Sequence, residues 1–220
     1  MKIKAIVTGA TGMVGEGVLH ECLQDYRVEQ VLSVSRKPCG VVHPKLTELI
    51  VPDFYDLSAV AGQLTGYNAC FFCLGVSSVG LKEADFYKLT YTLTIHMATL
   101  LSQQNPDMTF CYVSGAGTDS TEKGSTMWAR VKGKTENDLM ALPFKQVFNF
   151  RPGYIHPMPG MKNTNKYYKY VSWLYPVAKV LAPSFVITLS QLGQAMINSV
   201  SQGKHRRVLE VNDIHKLAEA

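Results

Sequence analysis

The chain has no long apolar run, no low-complexity tract, no serine- or glycine-rich linker and no evident repeat. Those absences exclude a solenoid and exclude domains strung on flexible tethers. The aromatic-rich stretch 167–187 is broken by Pro176, Lys179 and Pro183, whereas a membrane-spanning helix needs about 20 mostly apolar residues. No transmembrane segment is therefore expected. Charge is sparse as well, at 18% of 220 residues against 46% apolar. That excludes a disordered polyelectrolyte and provides the core of one α/β domain spanning 1–220. The formal charge of +5 comes from cations spread along the chain. It suits anionic ligands but forms no basic patch, so no nucleic-acid partner is expected.

Cysteine is present only as Cys22, Cys39, Cys70, Cys73 and Cys111, which points to a reducing compartment. Cys70-Phe71-Phe72-Cys73 has the spacing of a redox or metal motif. No second Cys/His pair completes a metal site, and in a strand residues three apart face opposite ways. A buried strand is the reading adopted, with no metal. His20 and His96 fall in helical stretches as packing residues, and no histidine is assigned to catalysis. Met-Lys leads at once into a short strand, an apolar run too short for a signal peptide. The expected location is cytoplasmic.

What stands out is the turn Thr8-Gly9-Ala10-Thr11-Gly12-Met13-Val14-Gly15. It follows an apolar run and opens a stretch with helical apolar periodicity. A strand, a glycine turn and a helix make the geometry that a dinucleotide pyrophosphate needs. Glycines let the backbone turn and approach the phosphates, and the helix N-terminus offers free N–H groups and positive potential.

Beyond it, strand patterns at 3–8, 30–35, 46–51, 69–74, 109–114, 147–150 and 207–211 alternate with helix patterns at 13–24, 57–64, 83–104, 124–142 and 189–200. This alternation predicts a doubly wound parallel sheet, the Rossmann fold, with a small C-terminal helical lobe. Ligands in such a sheet bind at the carboxyl ends of the strands. After the second strand come Arg36 and Lys37, where NAD-preferring domains place an acid for the ribose hydroxyls. Two cations and no acid favour a 2′-phosphate, hence NADP over NAD. After the third come Asp53 and Phe54; Asp53 either accepts from an adenine amino group or caps the next helix. After the fourth come Leu74 and Gly75, where backbone can run close to a nucleotide.

The chain resembles the short-chain dehydrogenase/reductase superfamily in its atypical branch, and most of all the small oxidoreductase-like proteins typified by the Tat-interacting protein. The resemblance rests on Gly9-x-x-Gly12-x-x-Gly15, Arg36, Asp53-Phe54, Cys73-Leu74-Gly75, Val131-Lys132-Gly133, Phe150-Arg151-Pro152-Gly153 and the tail 209–217. It implies hydride transfer between a nicotinamide and a carbonyl or alcohol. It also implies a Tyr-x-x-x-Lys pair with Tyr as general acid, a Lys that lowers the Tyr pKa and holds the ribose, and a Ser that orients the substrate oxygen. A spacing of four puts Tyr and Lys on one helix face.

Here the matching stretch is Trp128-Ala129-Arg130-Val131-Lys132. Lys132 is present, but Trp128 stands in place of Tyr, and an indole N–H donates without ionising. The fifth strand ends Ser114-Gly115, where relatives often carry two hydroxyl residues. Three readings stay open. The protein binds NADP without transferring hydride; or Tyr112, Tyr154 or a water supplies the proton; or the register of the match is displaced. The resemblance also lays Pro152, Gly153 and Tyr154 over the nicotinamide.

Residues 154–188 form the substrate-lobe or lid segment. Its stretch 167–187 is read as a lid over an apolar substrate, a partner or dimer surface, or a peripheral membrane contact. The expectation is an NADP(H)-binding oxidoreductase-like protein, monomer or homodimer, acting on a small apolar carbonyl compound. The pyrophosphate lies on Gly9, Ala10, Thr11, Gly12, Met13, Val14 and Gly15, and the catalytic positions are Ser114, Trp128 and Lys132. The alternative is a non-catalytic NADP-sensing or protein-binding module. A third option, a sugar-nucleotide epimerase or dehydratase on the same fold, is disfavoured because so short a chain leaves little room for a nucleotide-sugar lobe.

Overall fold

A computed structural model describes residues 2–164, 175, 181–201 and 207–220. The elements run β1 (Ile3–Thr8), α1 (Met13–Gln24), β2 (Val28–Ser35), β3 (Leu46–Ile50), a 3-10 helix (Ser58–Leu64), β4 (Ala69–Phe72), α2 (Glu83–Tyr87), a π-helical turn (Lys88–Thr92), α3 (Leu93–Gln104), β5 (Thr109–Val113), α4 (Met127–Ala141) and β6 (Gln146–Arg151). Then come β7 (Tyr154–His156), β8 (Val186–Thr188), α5 (Leu189–Ser201), β9 (Val208–Glu210) and α6 (Val211–Ala218).

Seven strands form one sheet in the order β3-β2-β1-β4-β5-β6-β9, and every pairing is parallel. The central strands are buried on both faces, so they read as unbroken apolar runs. One face packs α1, α5 and α6 around Val18, Leu19, Phe71, Phe148, Leu192 and Ile214. The other packs the 3-10 helix, α3 and α4 around Leu64, Phe72, Met97, Leu101, Phe110 and Leu139. The chain is thus doubly wound, as its alternating pattern predicts, and the order reverses between β1 and β4. That crevice is where such sheets bind ligands.

Cys70 lies in the second core and Cys73 against the first. These are the opposite faces expected of a buried strand, and burial pushes both thiols up. The predicted helix 83–104 is helical throughout, but Lys88–Thr92 winds as a π turn. β7 and β8 pair in parallel outside the main sheet. These three-residue strands are too short to leave a periodic trace in the sequence. They form the two ends of the substrate-lobe segment 154–188, most of whose 167–187 stretch lies outside the described residues.

Candidate functional site

The crevice is closed by backbone meeting backbone. Gly9 has φ +71°, and a Cβ there would come within 2.8 Å of the Cys73 carbonyl oxygen. A Cβ on Gly15 would collide with the Gly9 carbonyl. Only glycine fits at either position, so α1 starts tight against the turn while the turn presses on the end of β4. The Thr8 hydroxyl fixes that end by accepting from the N–H of Cys73 at 3.2 Å and of Leu74 at 3.3 Å. Gly12 is the N-cap of α1 and supplies no side chain to cap it.

Among the described residues, the N–H groups of Met13, Val14 and Gly15 find no protein acceptor. These are the orphan donors of a helix start, and an anion satisfies them. Thr11 and Gly12 are exposed, Met13 and Val14 half-buried, and Ala10 buried. A glycine cradle with unpaired donors fits a dinucleotide pyrophosphate.

The flanking expectations sort by burial. Arg36 and Lys37 are exposed past the end of β2, and among the described residues neither makes an ion pair. Asp53 is exposed, and its Oδ1 accepts from the Tyr55 N–H at 2.8 Å. It closes a turn, whereas Asp56 takes the Ser58 N–H at the start of the 3-10 helix, at 3.1 Å. Asp53 is therefore not that helix's cap. Phe54 is only 3% exposed and belongs to the second core, so its ring is unavailable to a cofactor. In the loop after β4, Leu74 is half-buried and packs against the second core, and Gly75 is exposed.

Further along the same edge lies the stretch that the resemblance marks as catalytic. The Ala116 N–H donates to the Pro152 carbonyl at 2.8 Å, which joins the loop after β5 to the loop after β6. The Tyr154 N–H donates to Phe185 O at 2.8 Å, and a Cβ on Gly153 would strike that same carbonyl. Pro152, Gly153 and half-buried Tyr154 thus carry the chain from β6 to the lobe beside Gly115. On α4, the half-buried Trp128 sets its ring edge against Gly117. A Cβ on Gly133 would strike the Asp119 carbonyl, so α4 lies tight under the 115–120 loop.

Lys132 points its ammonium at the Ser114 carbonyl and donates to it. Burial pulls this lysine down to about 8, with the Glu136 carboxylate acting the other way. The two expected neighbours, Ser114 and Lys132, are therefore together, but through the serine backbone. The Ser114 hydroxyl is 4% exposed and faces inward. It donates to Glu136 Oε1 at 2.5 Å, with Phe150 O also within reach of the same hydroxyl at 3.1 Å. A hydroxyl committed this way does not orient a substrate oxygen, which corrects the expectation drawn from the resemblance. Tyr112 is 1% exposed, and burial raises its phenol further out of range, so it is not the missing proton donor.

Sequence reasoning missed Glu136 and Arg151 as parts of the site. Glu136 is fully buried, and Arg151 reaches it through Nε at 3.0 Å and Nη2 at 2.5 Å. Arg151 also donates to Ser120 Oγ at 2.6 Å and to Glu210 at 3.1 Å. The one available signal was an acid four residues after Lys132, on the same helix face.

The model of the NAD dependent epimerase/dehydratase family matches residues 5–135, which is more than half the chain. This chain belongs to that family. It is similar to protein FMP52-1, mitochondrial, of Scheffersomyces stipitis, with 28% identity over 69% of this chain and 66% of that protein. It is also similar to protein FMP52, mitochondrial, of Candida glabrata, with 32% identity over 69% of this chain and 63% of that protein. The matched stretch thus spans just under two thirds of those relatives. Their mitochondrial names overturn the expected cytoplasmic location and point away from a purely cytoplasmic one. The Bordetella bronchiseptica enzyme WbmF, solved with NAD+, shares the fold with a TM-score of 0.67 at 14% identity. That match covers 99% of this chain and 77% of WbmF. The family is one of NAD(P)-binding Rossmann proteins related to the short-chain dehydrogenases, as the glycine turn implied.

Proposed function

We propose that this protein binds NADP(H) and acts as an oxidoreductase of the atypical short-chain dehydrogenase class on a small, apolar carbonyl compound. The observation that carries the cofactor preference is the pair Arg36 and Lys37, exposed past the end of β2, without an ion pair among the described residues and with no acid next to them in sequence. A 2′-phosphate supplies the charge these cations lack, and a guanidinium binds it in a fork geometry. In this reading the 9–15 turn holds the pyrophosphate. Lys132 holds the nicotinamide ribose, and Gly75, Pro152 and Gly153 bring backbone to the nicotinamide end. A bound nicotinamide would supply or accept hydride, and the chain's residues position it.

A second reading is favoured by the reaction end of the site. Trp128 replaces the acid, the Ser114 hydroxyl is turned inward, and Tyr112 is sealed in the core. A module that senses NADP, or binds a protein partner according to cofactor occupancy, needs none of those groups.

One titration series tests both readings. NADPH and NADH are added to the native chain and to Arg36→Ala while cofactor fluorescence is followed, and NADPH oxidation is then monitored against a panel of small aldehydes and ketones. The expected result is tighter binding of NADPH than of NADH, with a loss of about tenfold or more in the variant, a charge-assisted contact being worth about 1.5–3 kcal/mol. Oxidation that Lys132→Ala abolishes supports the enzyme. Binding without turnover, in the native chain and in Trp128→Tyr, supports the sensor. Binding of neither nucleotide overturns both.

A further inference from the structure

The ammonium of Lys132 is tied to the Ser114 carbonyl, and its surroundings are assembled from three elements. Glu136 lies one turn further along α4, fully buried. Its carboxylate is gripped by Arg151 at the end of β6, through Nε at 3.0 Å and Nη2 at 2.5 Å. The same Oε1 accepts the Ser114 hydroxyl at 2.5 Å. Ser114 follows β5, and its carbonyl receives the Lys132 ammonium. The backbone N–H of Ser114 is tied in turn to Phe150 O at 2.9 Å. A buried acid thus holds, by the side chain of one residue, the very carbonyl that anchors the lysine.

We propose that Glu136 is a positioning residue for Lys132, fixing through Ser114 the carbonyl to which the ammonium is tied and supplying the negative charge beside it. The proposal rests on the reading of Lys132 as the ribose-holding lysine. A buried carboxylate is costly unless paired and hydrogen-bonded, and both oxygens of Glu136 are so engaged. The cost is therefore borne where it acts on Lys132. The other charged groups around the site are already committed elsewhere. Glu83 pairs with Arg130 at 2.9 Å, and Asp138 takes Lys134 at 3.0 Å and the Tyr91 hydroxyl at 2.6 Å. Glu210 bonds Arg151 at 3.1 Å on its far side, and Tyr112 is sealed in the core beside Thr135. Glu136, although itself paired with Arg151, is the carboxylate whose charge counters burial at Lys132.

The test needs no nucleotide. The apoprotein carries ¹³C-labelled lysine, the Lys132 ε-carbon signal is assigned by its loss in Lys132→Arg, and its titration midpoint is followed by NMR. Glu136→Gln keeps the shape and removes the charge, so the midpoint should fall by about one unit or more. Ser114→Ala keeps both charges and removes the tie. It should move the midpoint the same way by less, and it decides the matter if Glu136→Gln does not fold. A folded variant whose midpoint matches the native chain overturns the proposal. NADPH failing to bind would instead remove the ribose role of Lys132 while leaving the lysine titration intact, so the two failures are distinguishable.

Discussion

At the scale of single residues, Lys132 sets function against stability. Its unfolded value is 10.5 and its folded value about 8 because burial disfavours the charge. Between those values the unfolded chain holds more protons than the folded one, so stability rises with pH across that window. Below about 8 the buried ammonium subtracts from stability in full. Lys132→Met should therefore raise the melting temperature at pH 7, and the gain should shrink as pH climbs from about 8 towards 10.5. The same variant should lose nucleotide affinity. Thermal melts at pH 7 and pH 9.5, with an NADPH titration alongside, check both halves. A variant that melts lower than the native chain at pH 7 would mean that the bond to the Ser114 carbonyl outweighs desolvation. Residues of this kind were only half legible. Lys132 and the glycines of the turn carry local signatures. The inward rotation of Ser114 depends on Glu136, 22 positions away, and on Arg151, which no local pattern announces.

At the scale of elements, the site depends on how closely α5 approaches α1. A Cβ on Gly17 would strike the side chain of Leu189, and one on Gly193 would come within 2.6 Å of Glu21 Cγ. The two helices cross on these glycines, and the Gln194 amide bonds the buried Glu21 at 2.6 Å across the crossing. Leu189 opens α5 directly after β8, and β8 pairs with β7, which carries Tyr154. Moving α5 therefore moves β8, β7 and with them Tyr154, which the proposed function lays beside the nicotinamide. Gly17→Ala should cost about 1–3 kcal/mol through overpacking. It should also weaken nucleotide binding under the proposed function, although Gly17 lies outside the 9–15 turn. Urea unfolding and a cofactor titration on one variant measure both; a stability loss with unchanged affinity would uncouple the lobe from the helix pair. The main strands were legible because a doubly buried parallel strand is a continuous apolar run. β7, β8 and α6 were not, because two of them span three residues and α6 follows β9 without a break.

At the scale of the whole molecule, the tail is stitched to the first βαβ unit by one ionic chain. Asp25, just past α1, receives Arg27 through Nη2 at 2.6 Å and Nε at 3.0 Å. Arg27 donates to Asn198 of α5 at 2.7 Å, and Asn198 donates to the Leu217 carbonyl of α6 at 2.7 Å. Residues near positions 25, 198 and 217 are thereby held together, and with them α5 and α6 against the face that supports the glycine turn. The hydrogen bond from Arg27 holds the Asp25 carboxyl below its unfolded value of 3.8. A carboxyl depressed by folding contributes stability that is fully present above the unfolded value and lost as pH falls through the folded one. Acid also protonates the remaining carboxylates of a chain already at +5, adding self-repulsion that acts on every variant alike. Asp25→Asn should thus cost about 2 kcal/mol at pH 7, the worth of a hydrogen bond to a charged group. The difference from the native chain should hold steady down to about pH 4 and close below it. Urea unfolding at pH 7, 4 and 3 measures that difference; one as large at pH 3 as at pH 7 would trace the cost to packing around residue 25 instead of to the ion pair.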